Sequence, residues 1–282
     1  MIGRILIPLF DDPLDYRLLD AAARFTDCRS ASLQVAYFRP EPIEESVYGS
    51  EVVTSGLMME ALEEGPQVVK RNIAIRLKDW TSQHRYEYVN VHTGMASCQI
   101  SFIERTGNPV TELRKTGRLN DLIICLLPDN ERPTSEQVLT VAVAETGRPV
   151  LTLPKAPPSD LTKHILLAWD GSLEASRLLA LAMPILSMAE RVSVFCYPEK
   201  DCDTGELHQL IEYLRCHGIS AAPSHVRQAK PLGESLVEAA LFNDATLIAM
   251  GAYSHSRIRQ QLFGGLTRHM IEDGKFPLLL AH

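Results

Sequence analysis

Two stretches in the later part of the chain carry residues whose types and spacing could do chemistry. The first is Trp169-Asp170-Gly171-Ser172, at the end of the apolar run His164–Trp169. An Asp at the end of a strand can accept hydrogen bonds from a ribose or an adenine. Gly171 permits a tight turn, and Ser172 can cap a following helix. A plain strand-to-helix turn with a good N-cap explains the same residues without a ligand. The second stretch runs from Gly251 through Ser254, His255, Gly264 and Gly265 to Thr267. It leaves an apolar strand on one glycine and enters a helix on two. Backbone N–H groups at such a helix start, with the positive end of its dipole, can bind phosphate. His255, Arg257, Arg259 and Arg268 add positive charge nearby. A long surface loop closed by a glycine hinge accounts for this pattern equally well.

Other chemistry finds less support. Ser254-His255 pairs a hydroxyl with an imidazole, but adjacent residues rarely face each other as nucleophile and base, and no G-x-S-x-G elbow is present. The nine histidines show no zinc-like arrangement with cysteine. There is no G-x-x-x-x-G-K-[ST] phosphate loop. The six cysteines include no C-x-x-C pair. Cys196 and Cys202 could pair, but Cys196 lies in an apolar strand where a thiol is usually packed and inert. The expectation is therefore free thiols in a reduced, cytoplasmic protein. Residues 1–155 hold 17 Lys and Arg against 21 Asp and Glu, and the whole chain carries −7. Neither part is a basic module, which argues against nucleic acid or an anionic membrane surface as partner. The first residues lack the order of a signal peptide, and no apolar run is long enough to span a bilayer.

These stretches need elements to hold them, and an internal repeat supplies the plan. Arg4–Asp12 aligns with His164–Ser172 at an offset of 160, Arg17-Leu18-Leu19 with Arg177-Leu178-Leu179, and Ala22 with Ala182. Near the other end, Asp121–Cys125 aligns with Thr246–Met250 at an offset of 125. The first copy thus carries about 35 extra residues between Phe38 and Asn108, with residues 40–65 the expected insertion. In the second copy, strands are expected over 164–169, 192–197, 219–227, 246–251 and 276–281. Helices are expected over 174–188, 206–216, 232–242 and 265–273. In the first, strands are expected over 4–10, 31–38, 86–93, 122–127 and 150–154, and helices over 16–26, 66–84, 110–116 and 134–145. Such alternation builds a parallel sheet with helices on both faces. The proline-rich linker after Pro154 sets domains of 1–155 and 161–282. The fold class is α/β: two tandem, doubly wound, open parallel-sheet domains of Rossmann-like type.

The second copy resembles a universal stress protein domain. The resemblance rests on Asp170-Gly171-Ser172 after an apolar strand, on Gly251 and Gly264 at the family's glycine-signature spacing, and on the ending Lys275–Leu280. Position 254 is Ser where the signature has Gly, and position 265 is Gly where it has Ser or Thr. In ATP-binding members the first-strand Asp contacts the nucleoside and the glycine loop wraps the phosphates. The resemblance therefore implies Asp170, Gly171, Ser172, Gly251, Ser254, His255, Gly264, Gly265 and Thr267 as candidate contacts for ATP or another adenine nucleotide. The first copy departs further. Phe10 stands at the Asp170 position, and Pro128 with Asp129 replaces the glycine signature. That copy is expected to be a degenerate, structural half. By resemblance, Val150–Leu153 should pair with residues 276–281 to make an internal pseudo-dimer, and a further homodimer is possible. The function implied is a non-enzymatic stress-response protein. The alternative is a ligand-independent interaction protein that has lost its nucleotide site.

Overall fold

The computed structural model describes residues 2–10, 14–26, 32–39, 56–91, 98–128, 135–197, 204–224, 231–252 and 265–282. Its first half runs β1 (Arg4–Leu9), α1 (Tyr16–Arg24), β2 (Ser32–Arg39), α2 (Gly56–Gln83), β3 (Glu87–Tyr88) and β4 (Gln99–Thr106). It continues with α3 (Pro109–Gly117), β5 (Leu122–Leu126), α4 (Ser135–Glu145) and β6 (Val150–Leu153). The second half runs β7 (His164–Trp169), α5 (Leu173–Leu186), β8 (Arg191–Cys196), α6 (Thr204–Cys216) and β9 (Ala221–Pro223). It ends with α7 (Leu232–Phe242), β10 (Leu247–Gly251), α8 (Gly265–Asp273) and β11 (Leu278–Ala281).

Among the described residues all eleven strands form one sheet, in the order β3-β4-β2-β1-β5-β6-β11-β10-β7-β8-β9. Within each half the pairs are parallel, and β6 meets β11 antiparallel. The register sets Leu278 opposite Thr152, Leu279 opposite Leu151 and Leu280 opposite Val150. The expected pairing of the two halves is thus present. Thr152 is fully buried at this seam, and its hydroxyl donates to the Leu278 carbonyl at 3.4 Å.

The strands are apolar on both faces because both faces are covered. Ile5 and Ile7 on β1, Ile165 and Leu167 on β7, and Ala249 on β10 face one core with Leu18, Leu77, Leu178 and Leu214 of α1, α2, α5 and α6. Leu6, Leu166 and Ile248 face the other with Leu113, Leu139, Leu236 and Met270 of α3, α4, α7 and α8. The period of two along each strand sends alternate residues to opposite helix layers.

Three expectations need correction. The strand expected over 86–93 is only the two-residue β3 at the edge. The position beside β2 is taken by β4, whose residues were assigned to no element. Leu33 and Ile100 stand side by side in that register, both fully buried, so pairing and burial decide the strand where apolar patterning was weak. Helix α2 starts at Gly56 and runs through Pro66, the expected start. Much of the first copy's excess lies in α2, which has 28 residues against 13 in α6. Part of the expected insertion, residues 40–55, lies outside the described residues. Finally, Cys196 is disulfide-bonded, although it was expected to be a packed, free thiol. It is the last residue of β8 and only half-buried, so its side chain leaves the core where the strand ends. Cys98, Cys125 and Cys216 form no disulfide.

At the amino ends of β7 and β8 lies a polar chain, buried at His164 and Ser193 and half-buried at Asn243 and Ser224. The His164 ring shares a hydrogen bond of 2.8 Å between Nε2 and Ser193 Oγ. Ser193 Oγ donates to Asn243 Oδ1 at 3.1 Å, and Asn243 Nδ2 donates to Ser224 Oγ at 2.8 Å. Among the described residues His164 Nδ1 makes no hydrogen bond. Burial, and then the Arg191 charge, hold this imidazole below its ordinary 6.5, against weaker upward effects from Asn243 and Asp244.

Candidate functional site

Strand β7 is where the chain direction of the second half reverses. From β7 the chain steps outward to β8 and β9, then returns to β10 on the other side. Ligands in such sheets bind beyond the carboxyl ends of the strands at that switch point. Here the two neighbouring ends are Trp169-Asp170 and Gly251-Ala252, since Met250 pairs with Ala168. The fold therefore brings Asp170 and Gly251, 81 positions apart in the sequence, to the same edge.

Local chemistry explains how the Asp170 corner folds. The Ser172 backbone N–H donates to Asp170 Oδ1 at 3.0 Å, closing an Asx-type turn. Gly171 sits inside that turn at φ +67°, in the region that favours glycine. Ser172 is the N-cap of α5, with Oγ accepting from the Ala175 N–H at 3.1 Å. That bond satisfies one of the orphan donors at the helix start. The neighbouring Trp169 Nε1–H donates to Glu206 Oε1 at 3.1 Å. A Cβ at Gly171 would lie 2.8 Å from that same Glu206 oxygen. Glu206 of α6 thus closes over the turn from the side, a neighbour that spacing along the chain gave no means of finding.

Gly251 has a packing role that is plain from its surroundings. A Cβ there would lie 2.8 Å from Ala175 N and 2.9 Å from the Glu174 carbonyl carbon. Both are backbone atoms of the first turn of α5, so glycine lets that helix start rest on the end of β10. Gly265 opens α8 and is exposed, with nothing within 4 Å of an added Cβ. Thr267 is buried on the inner side of α8, near Met270 and Ile271. Arg268 is turned along the same helix. Its Nε donates to Glu272 at 2.7 Å, and that partner raises its pKa further. Ser254, His255 and Gly264 lie outside the described residues, as do Arg257 and Arg259.

At the corresponding edge of the first half, the described residue in the Asp170 position is aromatic. Phe10 follows β1 and stacks on Phe38 of β2, with ring centroids 5.4 Å apart. Phe38 is almost fully buried. The stack fills with aromatic carbon the corner that carries a carboxylate in the second half.

The arrangement matches known structures along nearly its whole length. A universal stress protein from Archaeoglobus fulgidus DSM 4304 superposes with a TM-score of 0.63 at 16% identity, covering 99% of this chain and 95% of that one. The chain has the tandem universal stress protein fold. A candidate universal stress protein from Pseudomonas aeruginosa UCBPP-PA14 superposes with a TM-score of 0.52 at 14% identity, over 99% and 93% of the two chains. A protein of unknown function from Pseudomonas aeruginosa PAO1 gives 0.51 at 16%, over 99% and 92%. No protein-family model matches the sequence, and no curated protein matches it. In this universal stress protein fold the Asp170–Gly251 edge is the switch-point crevice of the second half. Among the described residues no cluster could hold a metal ion, and no helix is long and apolar enough to cross a membrane.

Proposed function

We propose that the chain is a non-enzymatic stress-response protein of the universal stress protein family. Its second half, residues 161–282, binds ATP or another adenine nucleotide, and its first half, residues 1–155, is a degenerate structural partner. One observation carries this reading: Asp170 and Gly251 stand together at the switch-point edge of a tandem universal stress protein fold. In this reading Asp170 contacts the nucleoside, and the stretch from Gly251 to Thr267 contacts the phosphates. The Phe10–Phe38 stack supports a first half without this site.

A second reading has its own support. Asp170 Oδ1 and Ser172 Oγ are both engaged by backbone N–H groups, and Glu206 closes over Gly171. These bonds fit an interaction protein whose former ligand corner is held by its own residues. Calorimetric titration with ATP, ADP and AMP separates the two. Under the first reading one of the three binds, and both Asp170→Ala and Gly264→Val abolish the heat. Mass spectrometry of protein purified without added ligand then also releases a nucleotide. Silence in both measurements favours the second.

A further inference from the structure

The connection from β8 to α6 is held on Trp169 from both of its described ends. Tyr197, the first residue after β8, donates its backbone N–H to the Trp169 carbonyl at 3.3 Å. Glu206, in the first turn of α6, accepts from Trp169 Nε1 at 3.1 Å. Between them, Cys196 lies beside Trp169 in the strand register and is disulfide-bonded. It is half-buried at the end of its strand, unlike a thiol sealed in the core.

Distance across the sheet selects the partner of Cys196. Cys98, Cys125 and Cys216 form no disulfide, which leaves Cys28 and Cys202, both outside the described residues. Cys28 is four positions before Ser32 of β2, so the chain keeps it within about 14 Å of that residue. Strands β2 and β8 are seven strand spacings apart in the sheet, about 33 Å. A disulfide needs Cα atoms within about 7 Å, so Cys28 is out of reach. Cys202 is six positions from Cys196 and two before the start of α6.

We infer that Cys196 and Cys202 form a reversible thiol–disulfide site that controls the first turn of α6 at the Asp170 corner. Oxidised, the bond ties the end of β8 to the residue just before α6. Glu206 is then kept on Trp169 and over Gly171, where an added Cβ would lie 2.8 Å from Glu206 Oε1. Reduced, the tie is lost and the connection regains backbone freedom. The rest of α6 stays anchored through Leu210 and Leu214, 5% and 0% exposed, so release is confined to its first turn. The inference does not depend on whether Asp170 meets a nucleotide.

The chemistry is thiol–disulfide exchange with a dithiol. One thiolate of the dithiol attacks a sulfur of the protein bond, forming a mixed disulfide and releasing one cysteine thiolate. The second thiol of the reagent then displaces the other cysteine. Two electrons and two protons pass to the protein, and the dithiol leaves as its own disulfide. A small disulfide restores the bond by the reverse exchange and leaves as two thiols.

The test uses the full chain purified without reductant. Thiol counting in denaturant should find four reactive cysteines of the six, because one bond takes two. Peptide mass should join Cys196 to Cys202. Dithiothreitol at neutral pH, without denaturant, should free both, and oxidised glutathione should restore the bond. On reduction, hydrogen–deuterium exchange should rise over residues 204–207 and stay level over 210–214. Cys196→Ser and Cys202→Ser should each exchange as the reduced protein does in both conditions. Cys216→Ser, which alters a thiol on the same helix, should respond as the wild type does. In nitrogen-15 spectra, one of the two indole N–H signals should move on reduction, and Glu206→Gln should move the same one. The Trp80 indole, which donates to Asp20 at 2.8 Å in the first half, should stay in place. Six free thiols, or a bond from Cys196 to another cysteine, overturns the inference. So does a bond that opens only in denaturant, exchange over 204–207 that ignores reduction, or two indole signals that do not move.

Discussion

Gly251→Ala separates a glycine kept for a ligand from a glycine kept for packing. The new methyl would meet Ala175 N at 2.8 Å, the Glu174 carbonyl carbon at 2.9 Å and Ala175 Cα at 3.2 Å. None of these is the end of a side chain that can swing aside. Either α5 or β10 must shift, and both are anchored by fully buried residues such as Leu178 and Ala249. Overpacking of this kind costs about 1–3 kcal/mol. At roughly 2 cal/mol/K of unfolding entropy per residue, a cost of about 2 kcal/mol lowers the melting temperature by about 3 °C if the chain melts as one unit. The shift is about twice that if the second half melts alone. Gly265→Ala is the matched control from the same stretch, since an added Cβ there meets nothing within 4 Å. Its melting temperature should stay at the wild-type value or rise slightly through helix propensity. Both are measured by calorimetric scanning of ligand-free protein. If Gly251→Ala melts with the wild type, or Gly265→Ala falls as far as Gly251→Ala, the packing argument is wrong.

Two further outcomes follow from the same geometry. Ser172→Ala removes the acceptor for the Ala175 N–H and should cost about 1 kcal/mol in urea unfolding, with Ser172→Thr retaining most of it. His164 should make stability depend on pH. Its folded pKa lies below 6.5, so below that pH the unfolded chain takes up a proton that the native state refuses. Stability is then fully present above 6.5 and is lost as pH falls through the window down to the folded pKa. Urea midpoints measured across this range should show the decline, and His164→Gln should reduce it. An unchanged slope in the variant would remove His164 from the account.

The parts of the fold that could be read from the sequence are those where one periodicity dominates. His164–Trp169, Leu232–Phe242 and Gly265–Asp273 fall on the expected residues, because each has a clean apolar pattern and punctuated ends. The antiparallel seam of β6 and β11 was accessible only through the resemblance. Strand β4 was missed because Gln99–Thr106 mixes polar and apolar residues and becomes a strand by lying beside β2. At the candidate site, Asp170 and Gly251 were legible as a pair, but what Gly251 touches was not. A glycine that lets phosphate approach and one that lets a helix approach look alike in one dimension. Glu206 was invisible for a related reason: it reaches Trp169 across 37 positions, through a contact made only by the fold.

The seam between β6 and β11 changes what the molecule can become. Two separate subunits joined at such a seam would come apart on dilution, and any substitution in one would appear in both. Here the partner strand is tethered, so its local concentration is fixed by the chain and does not fall with that of the protein. Each side can also drift alone. A Phe10–Phe38 stack can settle in one half while Asp170 persists in the other, and the shared sheet still closes through Leu151 and Leu279. Covalent linkage makes asymmetry heritable.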